Sequence, residues 1–551
     1  MKNSQAGTID SRTIQRRPTA LWSWLERIDN LPKPGVLAFF ITIVVMILYR
    51  QISQPEGGDS AIWDYVAQCI LRGQIPYRDV IEIKTPGSAY LSALSMWVGS
   101  WLGVRDVIAV RLMQIALVGL LSTITYLTAR DYLGSRSAAL IAFMIPLMSS
   151  YYVGWMLEGT QPKLSMTLFG MLTIVLISRD KPFWAGCCSM LSCLCWQPGL
   201  LFTGTAVLIF SRYLTTWRDR RVLQVIAGAA VPLIIVAFYY YFAGAFKEFW
   251  TWTVAYNYNV YGPHRMNSLW DQVNQIWRVL WRVMGANIEL LAIALAGMLI
   301  FAAERAGARL KGREGLRSEN LFKDALIIAP AVYLIFCLVD FQSGPDLIPL
   351  FPFIGIFAGW FVVKTGRYLR RKQALNQNAV FNGPLYGARG AVIAIALLFT
   401  LASAASFKAQ GGTLQDQYRE YQTLSDMLNP EDKIYAHGAV EILVLLNRPN
   451  LNPYIMWDQG KDIFVATQSY GGAFDAILEE IESQRPKIIA VSRLNDVSSR
   501  AQIAKWVGEH YDRLEGYHNR VYLRRPAALT STSSFHSRIL KRRRSFLRLA
   551  A

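Results

Sequence analysis

Charged and turn-forming residues are gathered between the first two hydrophobic stretches of the chain. They form three short strings, Gly58-Asp59-Ser60, Pro76-Tyr77-Arg78-Asp79 and Glu82-Ile83-Lys84-Thr85-Pro86-Gly87. Ionised side chains are costly beside hydrocarbon, so acids and a lysine at the edge of a membrane indicate a polar functional site. Lys84 precedes a proline at a predicted helix start. A cation and unpaired backbone N–H groups meet there, a combination that suits a phosphate.

A simpler interpretation is that the acids of this segment only solvate a loop; they are Asp59, Asp64, Asp79 and Glu82. The position of the segment argues against it, because an apolar helix flanks the loop on each side. Its aromatic residues do as well, since rings such as Trp63, Tyr65 and Tyr77 anchor at membrane interfaces or stack on sugars. We therefore expect this first loop to carry chemistry.

Composition identifies a polytopic membrane protein. Of the 551 residues, 53% are hydrophobic and 17 are tryptophan. The net charge of +19 would suggest nucleic-acid binding in a soluble protein. Here the excess of basic residues lies in short loops between apolar segments, which the positive-inside rule explains, so no nucleic-acid partner is expected. The five histidines show no metal-ligand spacing, and neither a metal nor another cofactor is expected.

Hydropathy predicts about eleven transmembrane helices with the N-terminus in the cytoplasm. The segment 87–103 is also apolar but is interrupted by glycines, and we interpret it as a helix lying along the interface. The predicted spans are 35–51, 106–128, 137–153, 162–178, 183–197, 199–211, 222–243, 287–303, 324–340, 347–363 and 390–406. This arrangement keeps the basic segments 211–221, 304–323 and 364–389 in the cytoplasm and puts the first loop and the C-terminal region outside.

The expected organisation is a helical membrane bundle followed by a small extracytoplasmic α/β domain. Residues 412–525 alternate helix and strand patterns, which favours a small parallel or mixed sheet. The predicted helices are 413–428, 473–484 and 500–511, and the predicted strands are 432–438, 487–493 and 517–525. The predicted regions are a cytoplasmic basic tail 1–34, the bundle 35–411 with its first outer loop 52–105, the α/β domain 412–525 and a disordered basic tail 526–551. The last tail could also contact anionic membrane lipids.

The order of the three strings, from Gly58 to Gly87, resembles the first loop of the integral-membrane GT-C glycosyltransferases. It is most similar to bacterial relatives of dolichyl-phosphate-mannose protein mannosyltransferases and to lipid A aminoarabinose transferases. The resemblance implies a polyprenyl-phosphate sugar donor and an extracytoplasmic acceptor, which could be a lipid, a glycan or a protein. It also implies inversion at the anomeric carbon and places the enzyme in a bacterial plasma membrane with its active site outside.

The resemblance assigns roles to several residues of this chain. Asp59 corresponds to the first-loop aspartate that acts as general base, and Lys84 to a lysine that stabilises the departing phosphate. Glu158 lies where relatives often have an acid and could orient the acceptor. Asp346 replaces a histidine of the relatives, so the grip on the donor is expected to differ.

Arg78 and Asp79 could contact substrate or form a structural ion pair, and Tyr77 is a further candidate for substrate contact. A cluster of aromatic and amide side chains between Tyr256 and His264 suits glycan contact or interfacial anchoring.

The expected function is transfer of a hexose, with mannose as one candidate. Three alternatives remain open: a transporter or flippase of lipid-linked sugars, a glycan polymerase or ligase, and a non-enzymatic membrane assembly factor. A transporter should show internal repeats and broken helices, and none is visible in the sequence.

Overall fold

The computed structural model describes residues 34–156, 158–213, 219–265, 268–284, 288–310, 318–375, 412–492, 494–517 and 519–525. The predicted N-terminal tail, apart from Pro34, the predicted span 390–406 and the predicted tail 526–551 lie outside the described residues.

The described chain is mostly helical, with four short strands near its C-terminal end. The helices up to residue 250 are α1 Pro34–Leu48, α2 Ser60–Leu71, α3 Gly87–Trp101, α4 Asp106–Leu133, α5 Arg136–Met148, α6 Ser150–Trp155, α7 Pro162–Ser178, α8 Pro182–Cys195, α9 Leu200–Arg212, α10 Arg221–Phe242 and α11 Phe246–Trp250. Two π-helical turns, Thr251–Ala255 and Asn257–Tyr261, continue α11.

The remaining helices are α12 Gly262–Arg265, α13 Leu269–Met284, α14 Ile288–Leu310, α15 Ser318–Val339, α16 Phe351–Leu375, α17 Leu414–Ser425, α18 Glu441–Leu446, α19 Lys461–Ser469, α20 Phe474–Ser483 and α21 Arg500–His510. A 3₁₀ helix, Gly344–Leu350, leads directly into α16. The strands are β1 Ile434–His437, β2 Ile488–Val491, β3 Tyr511–Leu514 and β4 Arg520–Arg524.

Five segments in the described part of the chain are long and apolar enough to cross a membrane. They are Asp106–Leu133, Arg221–Phe242, Glu289–Ala308, Glu319–Val339 and Gly344–Tyr368. Five other predicted spans correspond to the shorter helices α1, α5, α7, α8 and α9. Helix α3 has 15 residues, and at 1.5 Å per residue it extends about 22 Å, less than the ~30 Å hydrocarbon core. Its exposed Trp97 and Trp101 suit an interface.

The chain divides into two compact units that do not follow its linear order. The first comprises the described residues within 1–55, 84–239 and 266–411, and the second comprises those within 56–83, 240–265 and 412–551. The predicted first loop is therefore divided: its portion from Glu56 to Ile83 belongs to the same unit as the C-terminal α/β region, and Lys84 begins the next portion of the first unit.

Close backbone approach holds the helices of the first unit together. A Cβ at Gly355 of α16 would lie 2.0 Å from the carbonyl oxygen of Ala142 in α5, so only glycine permits this contact. A buried ion pair links α14 and α15, where Arg305 Nε lies 2.7 Å from Asp324 Oδ1. Tyr213 donates a further hydrogen bond of 2.7 Å to Asp324 Oδ2. The charges of Arg305 and Asp324 are therefore both hydrogen-bonded.

The second unit is built on a mixed sheet with the strand order β1-β2-β4-β3. β1 and β2 are parallel, whereas β4 pairs antiparallel with both β2 and β3. The sequence predicts β1, β2 and β4, but it extends the last helix to Tyr511, where the structure begins β3. A strand of only four residues that directly follows a helix leaves little periodic signal.

The first-loop portion of the second unit is hydrogen-bonded to the C-terminal region. Gln68 Nε2 donates to the Val444 carbonyl at 3.1 Å, and the backbone N–H of Asn450 donates to Tyr65 Oη at 2.6 Å. The Ile81 N–H donates to the Pro453 carbonyl at 2.9 Å. Segment 56–83 is thus a structural part of this unit.

Candidate active site

Asp59 lies at the start of α2 in the second unit, where it occupies the N-cap position and is exposed. Its side chain makes no capping hydrogen bond to the helix. Helix α2 also buries Asp64 completely, so this acid does not solvate a loop.

The string Pro76-Tyr77-Arg78-Asp79 folds into a closed turn within the second unit. Tyr77 adopts a positive φ of 72°, and its N–H donates to the Val80 carbonyl at 2.8 Å. Asp79 accepts the N–H of Ile75 at 2.7 Å and is bound by Arg78 through two nitrogens at 2.8 and 2.9 Å. These hydrogen bonds from Arg78 hold the pKa of Asp79 below its ordinary value.

The Tyr77 ring is buried in an aromatic cluster. It packs edge-on against Tyr240 and Phe249, with ring centroids 5.3 and 5.4 Å away. Arg78 also donates to the Ala243 carbonyl at 3.1 Å. The structure therefore gives Tyr77, Arg78 and Asp79 contacts within their own unit that stabilise this turn.

The aromatic and amide cluster is also engaged in packing. Tyr256 is fully buried, and its hydroxyl donates to the Gln459 carbonyl at 2.6 Å. Asn257 Nδ2 donates to the Ile83 carbonyl at 2.6 Å. Tyr258, by contrast, is 81% exposed.

In the first unit, the half-buried Lys84 lies immediately before α3. The start of this helix is pressed against the C-terminal end of α8. Thr85 Oγ1 donates to the Cys193 carbonyl at 2.8 Å, and Ser88 Oγ donates to the Cys195 carbonyl at 3.1 Å. A Cβ at Gly87 would lie 2.6 Å from the Leu194 oxygen, so glycine is required at this contact.

A second lysine, Lys163, which is not among the predicted site residues, lies over the ring of Trp196, the residue that directly follows α8. Lys163 Nζ is 4.6 Å from the Trp196 ring centroid and 2.7 Å from Asp346 Oδ1. Lys163 is in the first turn of α7, and Asp346 is in the first turn of the 3₁₀ helix before α16. Both side chains are buried, with 11% and 1% of their surfaces exposed.

Asp346 is held in place by its other carboxylate oxygen. Oδ2 accepts the backbone N–H groups of Gln342 and Ser343 at 2.7 and 2.9 Å. The Tyr333 hydroxyl donates to the Asp346 carbonyl at 2.9 Å. The carboxylate predicted to contact substrate is therefore part of a rigid capping structure that directs Oδ1 towards Lys163.

Glu158 is exposed in the loop between α6 and α7. The same loop is joined to α3, because Thr160 Oγ1 lies 2.5 Å from Ser92 Oγ. The structure thus connects the Glu158 loop, the Lys84 segment and the end of α8 within the first unit, and the Lys163–Asp346 pair adjoins this group through Trp196.

An apolar cavity of about 140 Å³ lies in the first unit among α13, α14, α15 and α16. Leu347, the residue after Asp346, lines it together with Cys337 of α15. A cavity of about 150 Å³ with similar apolar lining accepts benzene in another protein, so this one can hold a small hydrocarbon group.

The predicted site residues fall into two groups. The second unit holds Asp59, Tyr77, Arg78 and Asp79, and the first unit holds Lys84, Glu158 and Asp346. Among the described residues, no group of three histidine, cysteine or acidic side chains is arranged to hold a metal ion.

The chain resembles solved structures although no family model and no curated protein matches it. ArnT from Cupriavidus metallidurans, in a structure bound to undecaprenyl phosphate, superimposes with a TM-score of 0.61 at 14% identity. The match covers 90% of this chain and 99% of ArnT. The archaeal oligosaccharyltransferase AglB from Archaeoglobus fulgidus, in complex with an inhibitory peptide and a dolichol-phosphate, gives a TM-score of 0.51 at 11% identity. That match covers 92% of this chain and 76% of AglB.

At these low identities, the superpositions show the fold alone. Both proteins are members of the GT-C superfamily, so the resemblance based on the first loop is confirmed at the level of fold.

Proposed function

We propose that this protein is a membrane glycosyltransferase that moves a hexose from a polyprenyl-phosphate donor to an extracytoplasmic acceptor with inversion. The observation that carries the proposal is that Lys163 contacts Asp346 and that Leu347, the next residue, lines an apolar cavity in the same unit. An anionic headgroup on a hydrocarbon chain matches both features. The fold shared with ArnT, whose structure contains undecaprenyl phosphate, supports this donor class.

Asp59 is the general base of the proposed reaction. It removes a proton from the acceptor hydroxyl while the acceptor oxygen forms a bond to the anomeric carbon. The bond between that carbon and the phosphate oxygen breaks, and its electron pair stays on the phosphate. The leaving group needs no proton from a second acid, which distinguishes this reaction from glycoside hydrolysis.

Lys84 stabilises the negative charge that develops on the leaving phosphate. It stands before the N-terminus of α3, whose first N–H groups add a favourable dipole. The contacts of Thr85 and Ser88 with the end of α8 fix the start of this helix. A fixed cation lowers the barrier more than one that must reorganise during the reaction.

The cavity among α13 to α16 receives an isoprene unit of the carrier next to the phosphate. Its lining is almost entirely hydrocarbon, contributed by residues such as Leu291, Pro330 and Phe353. Burial of a branched hydrocarbon there gains about 25 cal/mol per Å² of apolar surface. Lipid-linked sugars of this kind are also substrates of a flippase, so the transfer step itself has to be measured.

The test is transfer of label from polyprenyl-phosphate hexoses, with mannose and glucose donors compared, to membrane acceptors by the purified full chain. We expect one labelled sugar to become attached to an acceptor, and Asp59→Asn to abolish most of that transfer. Labelled donor that crosses the bilayer without becoming attached, at the same rate in Asp59→Asn, would favour the flippase.

A further inference from the structure

The contact between Lys163 and Asp346 is unusual because it is close but lacks a directed hydrogen bond. Nζ is 2.7 Å from Oδ1, yet Oδ1 is buried and accepts no hydrogen bond. The ammonium group has three N–H donors. The contacts found for it among the described residues are this oxygen and the Trp196 ring.

A second lysine in the first unit has the same type of neighbours but a different environment. Lys364 Nζ donates a hydrogen bond of 2.6 Å to Glu304 Oε1 and lies 4.4 Å from the Trp360 ring centroid. Its side chain is 28% exposed and that of Glu304 is 46% exposed, so water solvates both charges. At the Lys163–Asp346 pair, water is largely excluded, and the desolvation of two charges is repaid by attraction alone.

The buried pair lies in the chain next to a residue that lines the apolar cavity, an arrangement that suits a ligand with a charged headgroup and a hydrocarbon chain. Asp346 is followed by Leu347, which lines the apolar cavity, and Trp196 directly follows the end of α8, where the Lys84 segment is hydrogen-bonded. Lys163 lies in the first turn of α7, so the helix dipole adds to its positive potential.

We propose that Lys163 is a second ligand of the donor phosphate and that the Asp346 carboxylate competes with this phosphate for the ammonium. The inference rests on the proposed function and gives Lys163 a role in the reaction that the proposed function leaves open. Asp346 can release the lysine without moving, because Oδ2 stays bound to the N–H groups of Gln342 and Ser343. Only the flexible lysine side chain has to turn.

The competition favours the transition state over the bound donor. The phosphodiester of a sugar donor carries one negative charge, and the phosphate monoester that leaves carries about 1.5 to 2 at neutral pH. A carboxylate therefore competes well with the donor and poorly with the departing phosphate. Lys163 is drawn to the phosphate as the glycosidic bond breaks, which is differential stabilisation of the transition state.

The test measures binding of polyprenyl monophosphate to the full chain in lipid nanodiscs, with polyprenol and inorganic phosphate as separate ligands. Lys163→Met should weaken polyprenyl monophosphate binding about 10-fold or more, the usual effect of losing a charge-assisted hydrogen bond. Asp346→Asn should tighten binding of a polyprenyl-phosphate hexose several-fold and that of polyprenyl monophosphate by less, because the carboxylate competes better with the single charge of the donor. In the double variant, Asp346→Asn should have no further effect, and polyprenol binding should be equal in all proteins.

The matched controls are Lys364→Met and Glu304→Gln, which alter the exposed lysine and its carboxylate and should leave the Kd unchanged. Lys163→Gln provides a second variant if Lys163→Met does not fold, as judged by thermal unfolding. Weaker binding in Asp346→Asn, or unchanged binding in both Lys163 variants, would overturn this inference and leave the proposed function in place. Failure of the unaltered protein to prefer polyprenyl monophosphate over polyprenol would overturn both.

Discussion

Two charged regions of the molecule, the Tyr77–Asp79 turn and the Lys163–Asp346 pair, use similar side chains in different ways. In the turn, Asp79 is hydrogen-bonded to Arg78 and to the Ile75 N–H. In the pair, one carboxylate oxygen is hydrogen-bonded to backbone and the other only touches the lysine. The difference separates charges that hold a local conformation from charges that can exchange partners with a ligand.

The largest effect is expected from Asp59→Asn, because Asp59 lies in the same unit as the turn but is proposed to act on the substrate. We expect turnover to fall roughly 10²–10⁴-fold, because the amide keeps the size of the side chain but cannot accept the acceptor proton. Labelled sugar transfer by the purified chain measures the effect. Asp475→Asn, an exposed acid in the first turn of α20, is the control. Near-normal transfer by a folded Asp59→Asn protein would remove Asp59 from the reaction.

A smaller effect is expected from Lys84→Ala. Loss of one cation from the donor phosphate should weaken binding of polyprenyl monophosphate about 10- to 100-fold, and Lys84→Arg should retain part of the affinity. Lys181→Ala is a matched control, since Lys181 is exposed and also precedes a proline at a helix start. If Lys84→Ala and Lys181→Ala have the same Kd as the unaltered protein, Lys84 serves only as an interfacial anchor.

Asp79→Ala should lower the stability of the protein and have little effect on the rate of sugar transfer. Loss of the hydrogen bonds at Ile75 and Arg78 should lower the free energy of unfolding by about 1–2 kcal/mol, after allowance for the exposure of Arg78. Sugar transfer measured below the unfolding temperature should change less than 10-fold. A loss of transfer comparable to that of Asp59→Asn, without a change in stability, would show that Asp79 contacts substrate.

The same variant gives a pH dependence of known sign. The folded pKa of Asp79 is lowered, so the carboxylate contributes stability above its unfolded pKa of about 4, and this contribution is lost as the pH falls through the folded value. The difference in unfolding free energy between Asp79→Ala and the unaltered protein should therefore be constant from about pH 5 to 7 and shrink below about pH 4. A difference that grows on acidification would contradict this sign.

The last prediction concerns the side of the membrane on which the second unit lies. Single cysteines at Leu71 and Glu479, both exposed in the second unit, should react equally with an impermeant maleimide on whole cells. A cysteine at Glu304, beside a basic segment, should react only after permeabilisation. Unequal labelling of Leu71→Cys and Glu479→Cys would contradict the hydrogen bonds that join segment 56–83 to the C-terminal region.

Much of the helical framework could be predicted from the sequence, because hydropathy and helix capping are local. The helix predicted over 413–428 is α17, which begins after Thr413 in a capping box with Asp416. The assembly of 56–83 with the C-terminal region could not be predicted. It depends on pairs such as Gln68 and Val444, which lie far apart in the chain and show no pattern of their own.

The candidate site was predicted only in part for the same reason. The acids and Lys84 are visible as charges next to turn-formers. Lys163 carried a weaker signal, a cation directly after a proline at the start of an apolar segment. Its partner Asp346 precedes a different apolar segment, and only the three-dimensional structure brings the two charges together.

The hydrogen bonds between segment 56–83 and the C-terminal region also limit how the chain can be threaded through a bilayer. Two segments that touch lie on one side of the membrane, so the chain between Ile83 and Gly412 must cross it an even number of times, whichever side that is. If α3 crossed the bilayer in addition to the predicted spans, that number would become odd. The assignment of α3 is thereby coupled to that of the later helices, because one added crossing requires that a second crossing be added or that another be removed.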